Sequence, residues 1–595
     1  MLRLALRGRA LQLARNKHGG RYGSPPGETY AMESPAAGAA APEKKQNELL
    51  VISASSVGTM FEWYDFFLYG SLVTYINMHF FSGVNETTGF ILALATFAAG
   101  FIVRPFGALV FGRVGDIVGR KNTFLVTMII MGAATFAVGL LPGYEQIGIL
   151  APILLVALRV LQGLAIGGEY GGAAIYVAEH APANKRGFYT SWIQITATIG
   201  LFLSLLIIMI IRQAMTPEEF AAWGWRVPFL VSIVLLGLSI WIRVQLSESP
   251  VFQKMKDEQK TSKKPWVESF GKWSNAKFVL VALFGLVAGQ AVIWYTGTFY
   301  SLFFLEKVLK VDGFEANLLV AISLAIGTPI YVLMGWLSDK IGRRYLALGG
   351  LALAVITFFP LFHMLTKAAN PALDAAQISS PIVVVADTSQ CSLQFDPIGR
   401  TKFDEKSCDI VKSHLSKAGV SYKTETAPAG SIATIAVGER TITAPDPAKV
   451  TGAERAAAIA AFQTEVTAAL AEAGYPTSAD TAQIDRFTVI LVIVLTQLFT
   501  AMIYGPMAAT LVELFPARIR YTSMSLPYHI GNGWFGGLLP TTAFMIVAAT
   551  GDIYAGIMYP VIIAAVTLVV GIFFLPETYR RNIRHDEPEG DRVGP

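Results

Sequence analysis

Charge and cysteine are both scarce in this 595-residue chain. Only 15% of it is Asp, Glu, Lys or Arg, whereas 53% is hydrophobic and mean hydropathy is +0.50. Ordinary soluble chains carry about 25% charged residues. So little charge beside so much apolar surface excludes a soluble globular enzyme, and excludes disorder over anything but short pieces. The two cysteines, Cys391 and Cys408, are too few for a disulfide framework or a Cys-rich zinc site. With His414 they make only a scattered set of ligands, so no metal site is expected. A phosphate-binding G-x-x-x-x-G-K-(S/T) loop is missing, and with it ATP as a driving force. A formal net charge of +5 is too mild to point to nucleic acid. No cofactor and no enzymatic activity are expected.

What the chain has in quantity is long apolar runs. Twelve are of membrane-spanning length, near 49–76, 88–112, 122–142, 149–178, 188–212, 226–246, 277–305, 315–336, 345–366, 486–513, 524–549 and 553–576. Lys and Arg fix the expected orientation. With the N-terminus inside, the short inner loops hold 17 of them and the short outer loops 4. Both termini are therefore expected in the cytoplasm of a cell whose membrane the chain crosses repeatedly. Residues 1–48 read as a disordered cytoplasmic tail. Within it Met1–Tyr30 is Arg-rich like an organelle transit peptide, and Met32 is an alternative start. Residues 577–595 form a second cytoplasmic tail.

An internal repeat divides the spans. Gly112–Lys121 (GRVGDIVGRK) and Gly335–Arg344 (GWLSDKIGRR) share one pattern, 223 residues apart. Glu179, Pro182 and Arg186 recur as Glu513, Pro516 and Arg520, now 334 residues apart. The offset has grown by 111, so an insertion of about that size lies between the two pairs in the second half, and the polar stretch 367–485 accommodates it. Leu246-Ser-Glu248-Ser and Leu575-Pro-Glu577-Thr close the two halves. The expected fold is an all-α membrane protein of twelve transmembrane helices in two pseudo-symmetric six-helix halves. The first half covers 49–246 and the cytoplasmic linker 247–276. The second half is divided into 277–366 and 486–576 by an extracytoplasmic insertion between helices nine and ten. Strand-like runs at Pro381–Ala386 and Ser431–Val437 alternate there with helix-like runs at Cys408–Ala418 and Ala453–Ala473, which suggests a small α/β domain. Cys391 and Cys408, on an oxidising side, would suit a disulfide.

FEWYDFFLYG at Phe61–Gly70, RPFGALVFGRVGDIVGRK at Arg104–Lys121 and RVLQGLAIGGEYGGA at Arg159–Ala173 resemble the major facilitator superfamily. Within it they resemble the metabolite:proton symporter family of α-ketoglutarate, citrate, shikimate and proline/betaine transporters. The resemblance covers roughly 49–366 and 486–578, and the insertion and N-terminal tail depart from it. It implies a secondary active transporter that moves a small molecule with protons by alternating access. The substrate is expected to be an organic acid, with a compatible solute of the proline/betaine type as the alternative. A membrane sensor using the outer domain is a third reading. A bacterial inner-membrane monomer is expected, with the small molecule, the proton and the bilayer as its partners.

The residues themselves suggest roles. Glu62 and Asp65 stand one helical turn apart near mid-membrane, as a proton-coupling pair or a structural one. Arg159, with Gln162 beyond it, would either bind a substrate carboxylate or pair with Glu62 or Asp65. Arg104 is read as snorkelling from the cytoplasmic end of the second span. Asp116 and Arg120, with Asp339 and Arg343, would form a cytoplasmic gate with Glu179, Arg186, Glu513 and Arg520. The alternative is that the basic members only anchor topology. By resemblance, helices one, four, seven and ten line a central cavity, which nominates Gln290, Trp294, Tyr295, Gln497 and Tyr504 for substrate binding.

Overall fold

The computed structural model describes residues 48–83, 86–244, 248–394, 402–581 and 583. The N-terminal tail, Leu246 and Ser247 of the repeat echo, and most of the C-terminal tail lie outside the described residues. Eleven stretches among the described residues are apolar and long enough to cross a membrane. The helix α1 (Glu48–Ser71) packs with them but carries Glu48, Glu62 and Asp65. It ends five residues earlier than expected, because Leu72 leaves helical geometry before the chain resumes at Val73–Phe80.

The second stretch is broken into α2 (Glu86–Ile102) and α3 (Arg104–Ile117). Pro105 has no N–H to give the preceding turn, so the helix restarts around it. The rest of the first half is α4 (Arg120–Leu140), α5 (Leu150–His180), α6 (Arg186–Gln194), α7 (Thr196–Gln213) and α8 (Val227–Val244). A short helix α9 (Pro250–Asp257) follows, started by the Ser249 side chain accepting from the Phe252 N–H. The span α10 (Trp273–Val308) is interrupted by π-helical turns at Leu283–Val287, Thr296–Tyr300 and Phe304–Val308. Such turns recur at functional sites. Then come α11 (Gly313–Ile341) and α12 (Arg343–Ala369).

The repeated loop motifs adopt one geometry. Gly119 and Gly342, at φ 128° and 102°, stand immediately before α4 and α12, in a region that L side chains rarely adopt. In each case a distant glutamate receives the freed helix N–H groups. Lys121 donates to both oxygens of Glu248 at 3.2 Å, and Arg343 and Arg344 donate to Glu577 at 3.0 Å. The third sequence echo is thus a pair of helix caps.

Between α12 and α16 (Arg486–Leu514) lies the insertion. It starts with α13 (Pro371–Ser379), capped by Asn370. Its sheet contains β1 (Ile382–Ala386), β2 (Tyr422–Thr426), β3 (Thr434–Val437) and β4 (Arg440–Thr443) in the order β2-β1-β3-β4. β2 runs parallel to β1, and the crossover this requires is supplied by α14 (Ser407–Ala418). α15 (Gly452–Glu472) completes the domain. The two expected strands and two expected helices appear. β2 and β4 had no sequence signal because their side chains are mostly polar and exposed.

The insertion docks on loops and a helix end of the second half. Tyr422 N–H donates to Gly551 O, Ala479 N–H to Lys310 O and Asp485 N–H to Ala368 O, each at 2.9 Å. The chain closes with α17 (Arg520–Ile530), α18 (Leu539–Thr550) and α19 (Met558–Phe574).

Candidate functional site: a buried cationic centre and a charge lock

Arg104 is 1% exposed, and the expectation that it snorkels to a membrane surface is wrong. It lies ten residues into the 23-residue apolar stretch Ala95–Ile117, so neither end is within side-chain reach. Its guanidinium lies over the rings of Phe101 and Phe66, 4.3 and 4.5 Å from their centroids, and the Tyr295 ring stands 6.1 Å from that of Phe101. Its Nε and Nη2 have no partner among the described residues.

Arg159 is the second cation. It does not pair with Glu62 or Asp65. Its Nη1 donates to Gln162 Oε1 at 2.6 Å, and Gln162 Nε2 donates to Thr135 Oγ1 at 2.8 Å. The guanidinium lies over Tyr69 and over the same Phe66 ring that Arg104 uses, at 4.4 and 4.8 Å. Its Nε and Nη2 are also without partners among the described residues. Two fully buried guanidiniums therefore share one aromatic floor, and neither meets a carboxylate. An unpaired buried charge costs several kcal/mol.

The two acids of α1 have unequal surroundings. Glu62 Oε1 accepts from Arg243 Nη1 at 3.0 Å, an ion pair with a residue 181 positions away. Asp65 has no cationic partner among the described residues, and its Oδ1 is unpartnered. The Thr135 hydroxyl that accepts from Gln162 donates to Met131 O at 2.9 Å.

Across the centre stand the side chains of α10, α16 and α17. Both amide atoms of buried Gln290 and both ring nitrogens of His529 lack partners among the described residues. Trp294 and Tyr295 stack edge to face. Gln497 accepts from Tyr331 at 2.9 Å and donates to Thr298 at 3.3 Å, so its amide is already occupied. The Tyr504 and Tyr528 hydroxyls share a hydrogen bond of 2.9 Å, and Tyr528 stacks on Tyr170, which receives a bond from Gln194 Nε2. Arg104, Thr135, Tyr170, Arg243 and Tyr528 were not assigned to the site by sequence reasoning, which placed Arg104 at a helix end. An Arg-Pro inside an apolar run was the available signal for the first. For the others only tertiary packing reveals a role.

At the end of the bundle that carries the repeated motifs, the eight proposed gate residues all come together. Asp116 accepts from the Tyr521 and Thr522 N–H groups at 3.1 and 2.9 Å, at the start of α17. Asp339 accepts from the Gly187 and Phe188 N–H groups at 2.9 and 2.8 Å, at the start of α6. Each aspartate thus caps a helix of the other half, where backbone donors and helix dipole favour a carboxylate. The glutamates also reach across. Glu179 pairs with Arg520 at 2.6 Å, and Glu513 with Arg186 at 2.8 Å. Arg343 binds Glu513 at 2.7 Å and Asp339 at 3.1 Å, while Arg120 lies 3.9 Å from both Asp116 and Glu179 and donates to Ala517 O at 2.7 Å. Ser249 hydrogen-bonds Glu179. All eight are buried except Asp339, which is half-buried. In the insertion, Cys391 and Cys408 are joined by a disulfide.

A bundle of apolar spans that buries an unpaired cationic centre behind a charge-locked end is the arrangement of a membrane transporter. Residues 50–272 match the family described as "Sugar (and other) transporter", and residues 173–392 match "MFS/sugar transport protein". The chain is 37% identical over 320 residues to the shikimate transporter of Escherichia coli strain K12, covering 52% of this chain and 71% of the relative. It is also 37% identical to the inner membrane metabolite transport protein YhjE of that strain, over 60% of this chain and 80% of the relative. To the proline/betaine transporter of Salmonella typhimurium it is 35% identical, over 53% and 64%. The solved structure of the proton:xylose symporter XylE superposes with a TM-score of 0.57 at 15% identity, covering 90% of this chain and 98% of that one, which speaks for the fold. The chain belongs to the major facilitator superfamily, among its metabolite:proton symporters. It is a membrane transporter and not an enzyme.

Proposed function

We propose that the protein moves a small organic acid together with protons by alternating access, the acid being held between Arg104 and Arg159. The carrying observation is the pair of buried guanidiniums with four nitrogens unpartnered among the described residues and no acid beside them. A carboxylate offers two acceptors in one plane, which suits a guanidinium fork. Gln290, His529 and the Tyr504–Tyr528 pair supply polar groups on the opposite side. Arg159 is positioned by Gln162, whose amide is fully used within the first half, so Gln162 acts through Arg159.

Asp65 carries the proton in this reading. Of the two mid-membrane acids of α1 it is the one without a cation among the described residues, and its Oδ1 is unpartnered. The charge lock closes the cytoplasmic end, with twelve spans in two six-helix halves, both termini inside, and the insertion with its disulfide outside a bacterial inner membrane. The distribution of Lys and Arg among the short loops supports this orientation.

A compatible solute such as proline or betaine is the second reading, favoured by the aromatic lining of the centre and by the names of some relatives. A quaternary ammonium would need ring faces that the arginines already occupy. Thermal-shift measurements with carboxylates, betaine and proline separate the two. Stabilisation by a carboxylate that is lost in Arg159→Lys supports the proposal, because a point charge replaces a planar fork. Stabilisation by betaine alone would overturn it.

A further inference from the structure

The linker between the two halves folds around a cavity of about 500 Å³. Lys260, Lys263, Lys264, Lys272 and Arg518 line it, and Glu268 is its one acidic member. That acid is already engaged, by Arg518 at 3.0 Å and by Ser262. Lys260 lies 2.8 Å from Glu258. Lys263, Lys264 and Lys272 have no ion pair among the described residues, so three like charges face the same space.

The cavity lies at the boundary of the apolar slab. Lys272 immediately precedes the span Trp273–Val308, and Arg518 is the second residue of the span Ala517–Thr550. Beside it, Trp266, Val267 and Trp273 are 40%, 57% and 70% exposed. The Trp266 indole N–H is satisfied by Leu109 O at 2.9 Å, and the Arg113 guanidinium lies 4.9 Å from the ring. A partly exposed indole with a guanidinium over its ring suits the membrane–water interface. Leu280 and Phe284 continue the exposed apolar surface along α10.

We propose that this cavity binds the phosphate headgroup of an anionic phospholipid, with the acyl chains lying along Val267, Leu280 and Phe284. Clustered lysines at the end of transmembrane helices attract anionic headgroups. The exposed tryptophans and valine favour a lipid over a soluble phosphate, since a soluble anion gains nothing from them. Because Arg518 belongs to the second half and the lysines to the linker, one headgroup held by both fastens the linker to that half.

The test is native mass spectrometry of the full-length protein incubated with phosphatidylglycerol or phosphatidylcholine. The variant is Lys263→Gln/Lys264→Gln/Lys272→Gln, and the control is Lys254→Gln/Lys256→Gln on α9, where both lysines are exposed. The protein and the control should retain phosphatidylglycerol in roughly tenfold preference, the order expected when several lysines each favour an anionic lipid. The triple variant should lose that preference while melting at an unchanged temperature. Equal retention by the triple variant, or equal retention of phosphatidylcholine by the unmodified protein, overturns the proposal. Full displacement of phosphatidylglycerol by millimolar inorganic phosphate overturns the lipid assignment and makes this a soluble-anion site.

Discussion

Removing the charge of Asp339 should unlock one end of the bundle. Its carboxylate accepts from Gly187 and Phe188 N–H across the two halves and pairs with Arg343 in its own half. In Asp339→Asn one amide oxygen replaces two charged acceptors, and the amide NH₂ is left facing a donor. A hydrogen bond to a charged group contributes about 1.5–3 kcal/mol. Converting one to a neutral bond and losing the other should destabilise the locked state by about 2–4 kcal/mol. At 1.4 kcal/mol per tenfold, that shifts the equilibrium toward opening at this end by roughly 30- to 700-fold. Ser191 makes a good reporter, because it is buried in α6 where that helix meets Gly335 of α11. Both native cysteines are tied up in the disulfide, so a Ser191→Cys thiol is labelled without background. Its maleimide labelling rate should rise at least ~30-fold when Asp339→Asn is added. An unchanged rate, in a protein that melts normally, would refute the view that these bonds hold the end shut.

The acids of α1 should respond differently. Asp65→Asn should abolish proton-driven accumulation while leaving substrate exchange, whereas Glu62→Gln leaves Arg243 buried and unpaired and should cost about 3–5 kcal/mol in stability. Glu62→Gln/Arg243→Met should recover much of that loss in thermal melts, and failure to recover would show that the pair is not the cause. Opening the disulfide with Cys391→Ser/Cys408→Ser releases a loop of 17 residues. The loss should be about 3 kcal/mol, confined to the insertion and visible as faster amide exchange at Ser392 and in α14. Uniform destabilisation of the spans would contradict it.

Fold class and span positions were legible because membrane burial is a one-dimensional constraint. A span must be apolar along some 20 consecutive residues, and that leaves its record in sequence whatever it packs against. The repeat was equally legible, since the same loop chemistry occurs twice and the growing offset exposes the insertion. The eight charged residues that come together at one end were singled out for that reason. Their partners were not: Glu179 meets Arg520 and Glu513 meets Arg186 only because two halves more than 300 residues apart close on one another.

The centre depended most on tertiary structure. Arg104 reads as a helix-end charge until the break at Val103 and the packing of Phe66 and Phe101 place it deep in the bundle. Glu62 and Asp65 look equivalent by spacing, yet Arg243, contributed by α8, neutralises one and leaves the other without a cation among the described residues. Which residues are charged, and how deep they lie, follows from the order of amino acids. Which of those charges is paired depends on side chains brought together from several helices, and in low dielectric that pairing decides whether a buried charge is scaffold or site.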